Sequence, residues 1–169
     1  MPHTLDQFAA SCHKLLAAEP GPAGREKVRK LLEEVLRDQT FVDKYLTEAT
    51  GEREILYQDP EMGFCILAHH YRDAKNSPPH DHGPSWAIYG QARGETVMTD
   101  YAMLEPASAT KIGKVRPTKT YSLTPGIAHV YNEGDLHSPA RAGSTHLIRM
   151  EGVNMDTVKR FRFEAVSTR

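Results

Sequence analysis

Pro78-Pro79-His80-Asp81-His82-Gly83 sets two imidazoles one residue apart in a part of the chain that otherwise reads as β-strand. Alternate residues of a strand share a face, so His80 and His82 can aim at one point while Asp81 faces away. Two imidazoles converging on one spot suit a divalent metal, and a third from elsewhere leaves positions open for substrate or water. Pro78 and Pro79 remove backbone donors just ahead of the pair, which fits a strand start or a sheet edge.

Outward from this pair the chain is a succession of short apolar segments separated by turn residues, among them Gly90, Gly94, Pro117, Pro125-Gly126 and Glu133-Gly134-Asp135. Strands are expected at 54–58, 64–71, 85–91, 95–104, 119–123, 129–132, 136–138 and 145–151, a spacing that indicates a sandwich or barrel. The N-terminal quarter differs. Thr4 and Gln7 form a capping box, and Leu5, Phe8, Cys12 and Leu15 then recur at helical spacing. After Glu19-Pro20-Gly21-Pro22 a second helix is expected over 23–38, with Val28, Leu31, Leu32, Val35 and Leu36 as its apolar stripe, and a short third over 41–46. The expected fold is mainly β, with two or three N-terminal helices packed on the outside of the β unit. No internal repeat or low-complexity linker interrupts it. Residues 1–169 therefore read as one domain, helical over 1–50 and a barrel over 53–155.

Hydrophobic residues make up 39% of the 169, charged residues 25%, and the net charge is -1. That balance gives no sign of a polyanionic or membrane-surface partner, so nucleic acid and membrane are not expected partners. The first residues lack a basic stretch followed by an apolar run, and no segment approaches the ~18 apolar residues of a membrane span. A cytoplasmic protein is the expectation. Cys12 and Cys65 are too few for a disulfide framework and read as small core residues.

His80-x-His82 is followed by Ala87 and then Gly94, and Gly134-Asp135-Leu136-His137-Ser138 lies downstream. This pattern resembles the two signatures of the cupins, double-stranded β-helix (jelly-roll) barrels that hold a metal. Ala87 stands where the usual cupin signature has a glutamate ligand, a departure shared by thiol dioxygenases of the cysteine dioxygenase type. The similarity extends over roughly residues 5 to 155. The N-terminal helices, the Arg53-to-Pro60 stretch, the Cys65-to-Tyr71 strand leading into Pro-x-His-x-His, the Gly90-x-x-x-Gly94-Glu95 turn and the Gly-Asp-Leu-His turn come in the order found in bacterial cysteine and 3-mercaptopropionate dioxygenases.

The resemblance implies His80, His82 and His137 as ligands of Fe(II), with a small thiol and O₂ as substrates. Imidazole ligation by itself also admits Zn, Mn, Ni or Cu. His129, after Pro125-Gly126 and before Asn132, is a rival third ligand. His69 and His70 read as structural or exposed and His3 and His13 as solvated, while His146 lies on a late strand that can line the barrel. Arg53 matches the family's carboxylate-binding arginine, whose planar fork meets a carboxylate with two hydrogen bonds; a surface pair with Glu52 or Glu54 is the other reading. The family's Ser-x-His-x-Tyr relay is missing, with Ile148 or Glu151 at the tyrosine position according to the alignment chosen. Ala87 also excludes a Cys–Tyr crosslink there.

The second alignment puts Leu147, Arg149 and Glu151 on the cavity face of one strand, offering a cation and a general base, or else an internal ion pair. Arg149, Glu151 and His146 are thus candidate catalytic residues, and Arg53, Trp86 and Tyr89 candidate substrate contacts. Tyr131 is a further possible wall, and core packing is the alternative for Trp86. The leading expectation is an Fe(II) dioxygenase oxidising a small thiol or other small polar molecule. The alternatives are an O₂-independent metal-dependent isomerase, lyase or hydrolase in which Glu151 or another carboxylate moves protons, and a cupin that binds a small molecule without chemistry. A homodimer is compatible with such a fold but nothing in the sequence specifies it.

Overall fold

Local chemistry starts each helix of the computed structural model, which describes residues 3–167. At α1 (Leu5–Ala18) the Thr4 hydroxyl accepts the Gln7 N–H at 3.2 Å while the Gln7 side chain accepts the Thr4 N–H at 3.3 Å, satisfying two orphan donors reciprocally. α2 (Pro22–Leu36) begins on a proline, where a missing N–H costs nothing. It stops two residues short of the expected end because Asp38 caps α3 (Gln39–Tyr45), accepting from the Thr40 and Phe41 amides.

Ten strands follow: β1 (Glu54–Gln58), β2 (Cys65–Tyr71), β3 (Lys75–Asn76), β4 (Ala87–Arg93), β5 (Thr96–Glu105), β6 (Gly113–Leu123), β7 (Ala128–Tyr131), β8 (Leu136–Arg141), β9 (Thr145–Glu151) and β10 (Phe163–Ala165). They form two sheets, ordered β1-β2-β9-β4-β7 and β10-β6-β5-β8-β3. Within them β2-β9-β4-β7 and β3-β8-β5-β6 are the two halves of a jelly roll, with β1 and β10 added at the edges. Every pairing is antiparallel except β6 with β10.

The first sheet is covered on both faces. Its outer side chains, including Ile66, Ile88, Ile148 and Met150, pack with Phe8, Leu32 and other helical residues, whereas Ala87, Tyr89 and Tyr131 face Met98 and Leu123 inside the barrel. This explains the nearly unbroken apolar runs of β2, β4 and β9. Two strands outrun their expected ends. β6 begins at Gly113 rather than Lys119, carrying Pro117 at a register slip against β5, and β8 continues through Pro139 to Arg141. A proline removes only its own donor, and Pro139 still accepts from Ser77 at 3.0 Å. No helix of the described residues is long and apolar enough to cross a membrane.

α2 reaches this sheet because Gly90 leaves room for it. A Cβ there would lie 2.8 Å from Leu32 Cδ2, 2.9 Å from Leu36 Cδ1 and 3.1 Å from the Ile148 carbonyl oxygen. Gly90→Val is expected to destabilise the fold by about 1–3 kcal/mol through overpacking. A lower urea midpoint with an unchanged slope is the observable; an unchanged midpoint refutes the tight approach.

Candidate metal centre

His80 and His137 are brought face to face by the backbone. Each amide donates to the other's carbonyl at 2.9 Å, forming an isolated antiparallel bridge between the His80 segment and β8. The expected strand through both His80 and His82 is not formed. Asp81 accepts the Gly83 N–H at 3.0 Å, Gly83 takes φ 56°, and the chain turns. His82 thus reaches the same spot by a turn rather than by pleat alternation.

The three rings present their Nε2 atoms. His80 Nδ1 lies 2.8 Å from the Pro78 carbonyl and His137 Nδ1 2.8 Å from the Asp135 carbonyl. A carbonyl only accepts, so each Nδ1 carries the proton and each Nε2 keeps a free lone pair. His82 Nε2 is 3.2 Å from His137 Nε2, and one ligand atom from each histidine lies within 4.8 Å of the others. Burial pushes the His80 pKa down to about 4 and those of His82 and His137 well below the ordinary value. All three are neutral, as ligands must be. His82 Nδ1 is buried without a partner. The donor set fits a divalent ion with three neutral ligands and open positions.

Tyr89 completes the group. Its hydroxyl lies 3.1 Å from His82 Nε2 and 3.3 Å from His137 Nε2, and Arg149 Nη1 donates to it at 3.4 Å. A phenol thus reaches the imidazoles from β4, and not from the late strand β9. Burial raises the Tyr89 pKa, so its proton is held. Tyr131 stacks on His137 with centroids 4.0 Å apart and shares a 2.6 Å hydrogen bond with Tyr121.

Arg53 is not free for a substrate. Its guanidinium grips the Glu151 carboxylate with two hydrogen bonds of 2.9 and 3.0 Å, and also donates to Asp156 and Asn154. Glu151, fully buried, further accepts from the Met155 amide at 3.1 Å and forms an ion pair with Arg149 Nη2 at 2.8 Å. Burial raises its pKa, but the Arg53 hydrogen bonds and the Arg149 charge outweigh this and bring it below the ordinary value. With three donors and the Arg149 charge on its two oxygens, Glu151 is an anchor for two arginines and not the expected general base. Arg149, pinned by Glu151, points at the Tyr89 ring, 5.3 Å from its centroid.

Two other expected contacts lie on the wrong face. Trp86 packs with the helices under the Arg25 guanidinium, 5.5 Å away, rather than in the barrel. His146 alternates with Leu147 and Arg149, and so faces outward; it stacks on His70 at 3.9 Å and 12° near Glu48. Near-parallel rings do not aim their lone pairs at a common point, and His146 Nε2 already lies 3.3 Å from the Thr47 carbonyl. His129 lies beyond the Tyr131 ring, 4.6 Å from it, outside the three-histidine group.

A cavity of about 490 Å³ opens onto His80 and Tyr89. Arg141, Arg149, Arg160, Arg162 and Lys75 line it, and no carboxylate does. Arg141 was missed in the sequence although a signal existed: it follows His137 by four residues on β8 and so shares its face.

No family model matches the sequence, and no curated protein is significantly similar to it. Among solved structures, a cupin superfamily protein from Desulfitobacterium hafniense is 15% identical over 64% of this chain and 85% of its own, with a TM-score of 0.44. A cupin-2 domain protein from Shewanella frigidimarina is 13% identical over 65% and 89%, with a TM-score of 0.45. An oxalate oxidase bound to the substrate analogue glycolate is 16% identical over 54% of this chain and 42% of that one, with a TM-score of 0.40. The fold is mainly β with an N-terminal helical layer, and its strand order is that of a jelly roll.

Proposed function

We propose that this protein is a metal-dependent oxidoreductase of the thiol dioxygenase kind, holding Fe(II) on His80, His82 and His137. The observation that carries this reading is the convergence of three neutral imidazoles and the Tyr89 hydroxyl beside a cavity sized for a small molecule. Iron held by His80, His82 and His137 would supply the redox chemistry that joins O₂ to a substrate thiolate. Both oxygen atoms go to sulfur, giving a sulfinate, so no separate reductant is required. The protein's own part is to hold and orient. Arg53 fixes Glu151, Glu151 fixes Arg149, and Arg149 fixes the phenol. Tyr89 keeps one proton beside the reacting groups and donates it as a hydrogen bond where negative charge develops. The O₂-independent reading loses Glu151 as its base, since those oxygens are occupied, and no other carboxylate lines the cavity.

Oxygen uptake by the Fe(II)-loaded protein with cysteine, 3-mercaptopropionate and cysteamine tests the proposal. Uptake with at least one is expected, and none with any of the three removes the thiol version. Tyr89→Phe is expected to slow uptake by about 10²–10⁴-fold, the span typical of a positioned proton donor, while metal content stays unchanged. Full activity in that variant assigns the phenol a packing role only.

A further inference from the structure

Among the described residues, the buried and half-buried arginines around the site follow a rule with one exception. Arg25 meets Glu133 in two hydrogen bonds of 2.7 Å, and Arg53 and Arg149 share Glu151. Arg141 is 3% exposed and makes no side-chain hydrogen bond or ion pair among the described residues. Its Nε is buried without a partner, and its guanidinium lies 4.5 Å over the Tyr71 ring as part of the cavity wall. Stacking on an aromatic face covers one side of a guanidinium and leaves its in-plane donors free. The nearest groups make matters worse. Lys75 is its cross-strand partner and is itself turned to Glu52 at 2.8 Å, and the charge of Arg149 is matched by Glu151. Burial lowers the Arg141 pKa, yet an arginine does not discharge in any physiological range. A buried charge of this kind needs a counterion.

We propose that Arg141 is the docking site for a carboxylate on the cavity's ligand, whose other end meets the three-histidine centre. This deepens the oxidoreductase reading and rests on it for that other end. The role expected of Arg53 passes to Arg141, on the opposite sheet. Its fork matches a planar carboxylate with two hydrogen bonds. His137 and Arg141 share a face of β8 with about 13 Å between their Cα atoms, a gap that the long arginine side chain shortens, so the ligand is a small molecule.

Thermal midpoints of the full chain, with metal content measured on the same preparations, test the assignment. Wild type, Arg141→Met and Arg141→Lys are melted in oxyanion-free buffer and then with propionate, succinate, 3-mercaptopropionate, cysteamine or inorganic phosphate. Arg141→Met is expected to melt no lower than wild type without oxyanions. At least one carboxylate is expected to raise the wild-type midpoint by about 5 °C or more at a hundredfold excess over its Kd. It should leave Arg141→Met unshifted and give Arg141→Lys part of the effect, while cysteamine, which has no carboxylate, produces no Arg141-dependent shift. Equal shifts in wild type and Arg141→Met, no shift with any carboxylate, a shift with phosphate alone, or a large loss of stability in Arg141→Met each overturn the proposal. The propionate shift does not need a metal. Absence of metal from the preparations therefore counts against the oxidoreductase reading while the carboxylate result is still read.

Discussion

Glu151→Ala is expected to remove about 3–5 kcal/mol of folding stability, because deleting one member of a buried ionic group leaves the others uncompensated. The Glu151 side chain is fully buried, and Arg53, Arg149 and the Met155 amide all converge on it. Without it Arg149 loses its only carboxylate among the described residues, and Arg53 keeps only Asp156 and Asn154. At about 2–4 °C per kcal/mol for a chain of this size, the melting midpoint falls by roughly 10 °C. Glu151→Gln keeps an acceptor and is expected to lose less. The same network sets a pH dependence. The Glu151 pKa is lowered by folding, so its stabilisation is fully present above the carboxylate's ordinary 4.5 and is lost as pH falls below that value toward the folded-state pKa. In Glu151→Gln this part of the acid sensitivity disappears. A midpoint within 2 °C of wild type in Glu151→Ala, by contrast, shows that the buried network holds nothing together.

His82→Gln is expected to act on metal and not on the fold. Loss of a direct ligand should weaken metal binding by more than the ~10–100-fold carried by outer hydrogen-bond partners of a metal site. Metal-free stability should change little, since the glutamine amide can take over the Nε2 contact with the Tyr89 hydroxyl and the His82 Nδ1 has no partner to lose. Zinc added to metal-free wild type is expected to raise the melting midpoint, and to leave that of His82→Gln unmoved. Equal shifts in both proteins exclude His82 from the ligand set.

Much of this arrangement was legible in residue order. The capping box at Thr4 and Gln7, the stripe of α2 and most strand positions follow from periodicity and turn chemistry, because those signals are local. Strand alternation likewise put Leu147, Arg149 and Glu151 on one face. The remainder depends on pairings across the chain. Nothing near Arg53 announces that its fork is filled by Glu151, 98 residues away, so the local likeness to a substrate-binding arginine misled. Trp86 and His146 lie one residue out of phase with the inward face, and β2, β4 and β9 are apolar on both faces, which hides which face is inner. The sequence reads β8 as ending before Pro139, which leaves Arg141 outside the strand that carries it. Tyr89 was seen as a wall, yet only the docking of the His80 segment on β8 brings its hydroxyl to the imidazoles.

X-ray absorption at the metal edge of the zinc-loaded wild-type protein tests the centre most directly. Three imidazole nitrogens at about 2.0–2.1 Å are the expected inner scatterers, with one of them lost in each of His80→Gln, His82→Gln and His137→Gln. A spectrum of oxygen or sulfur scatterers alone, or one unchanged by all three substitutions, contradicts a metal held by these histidines.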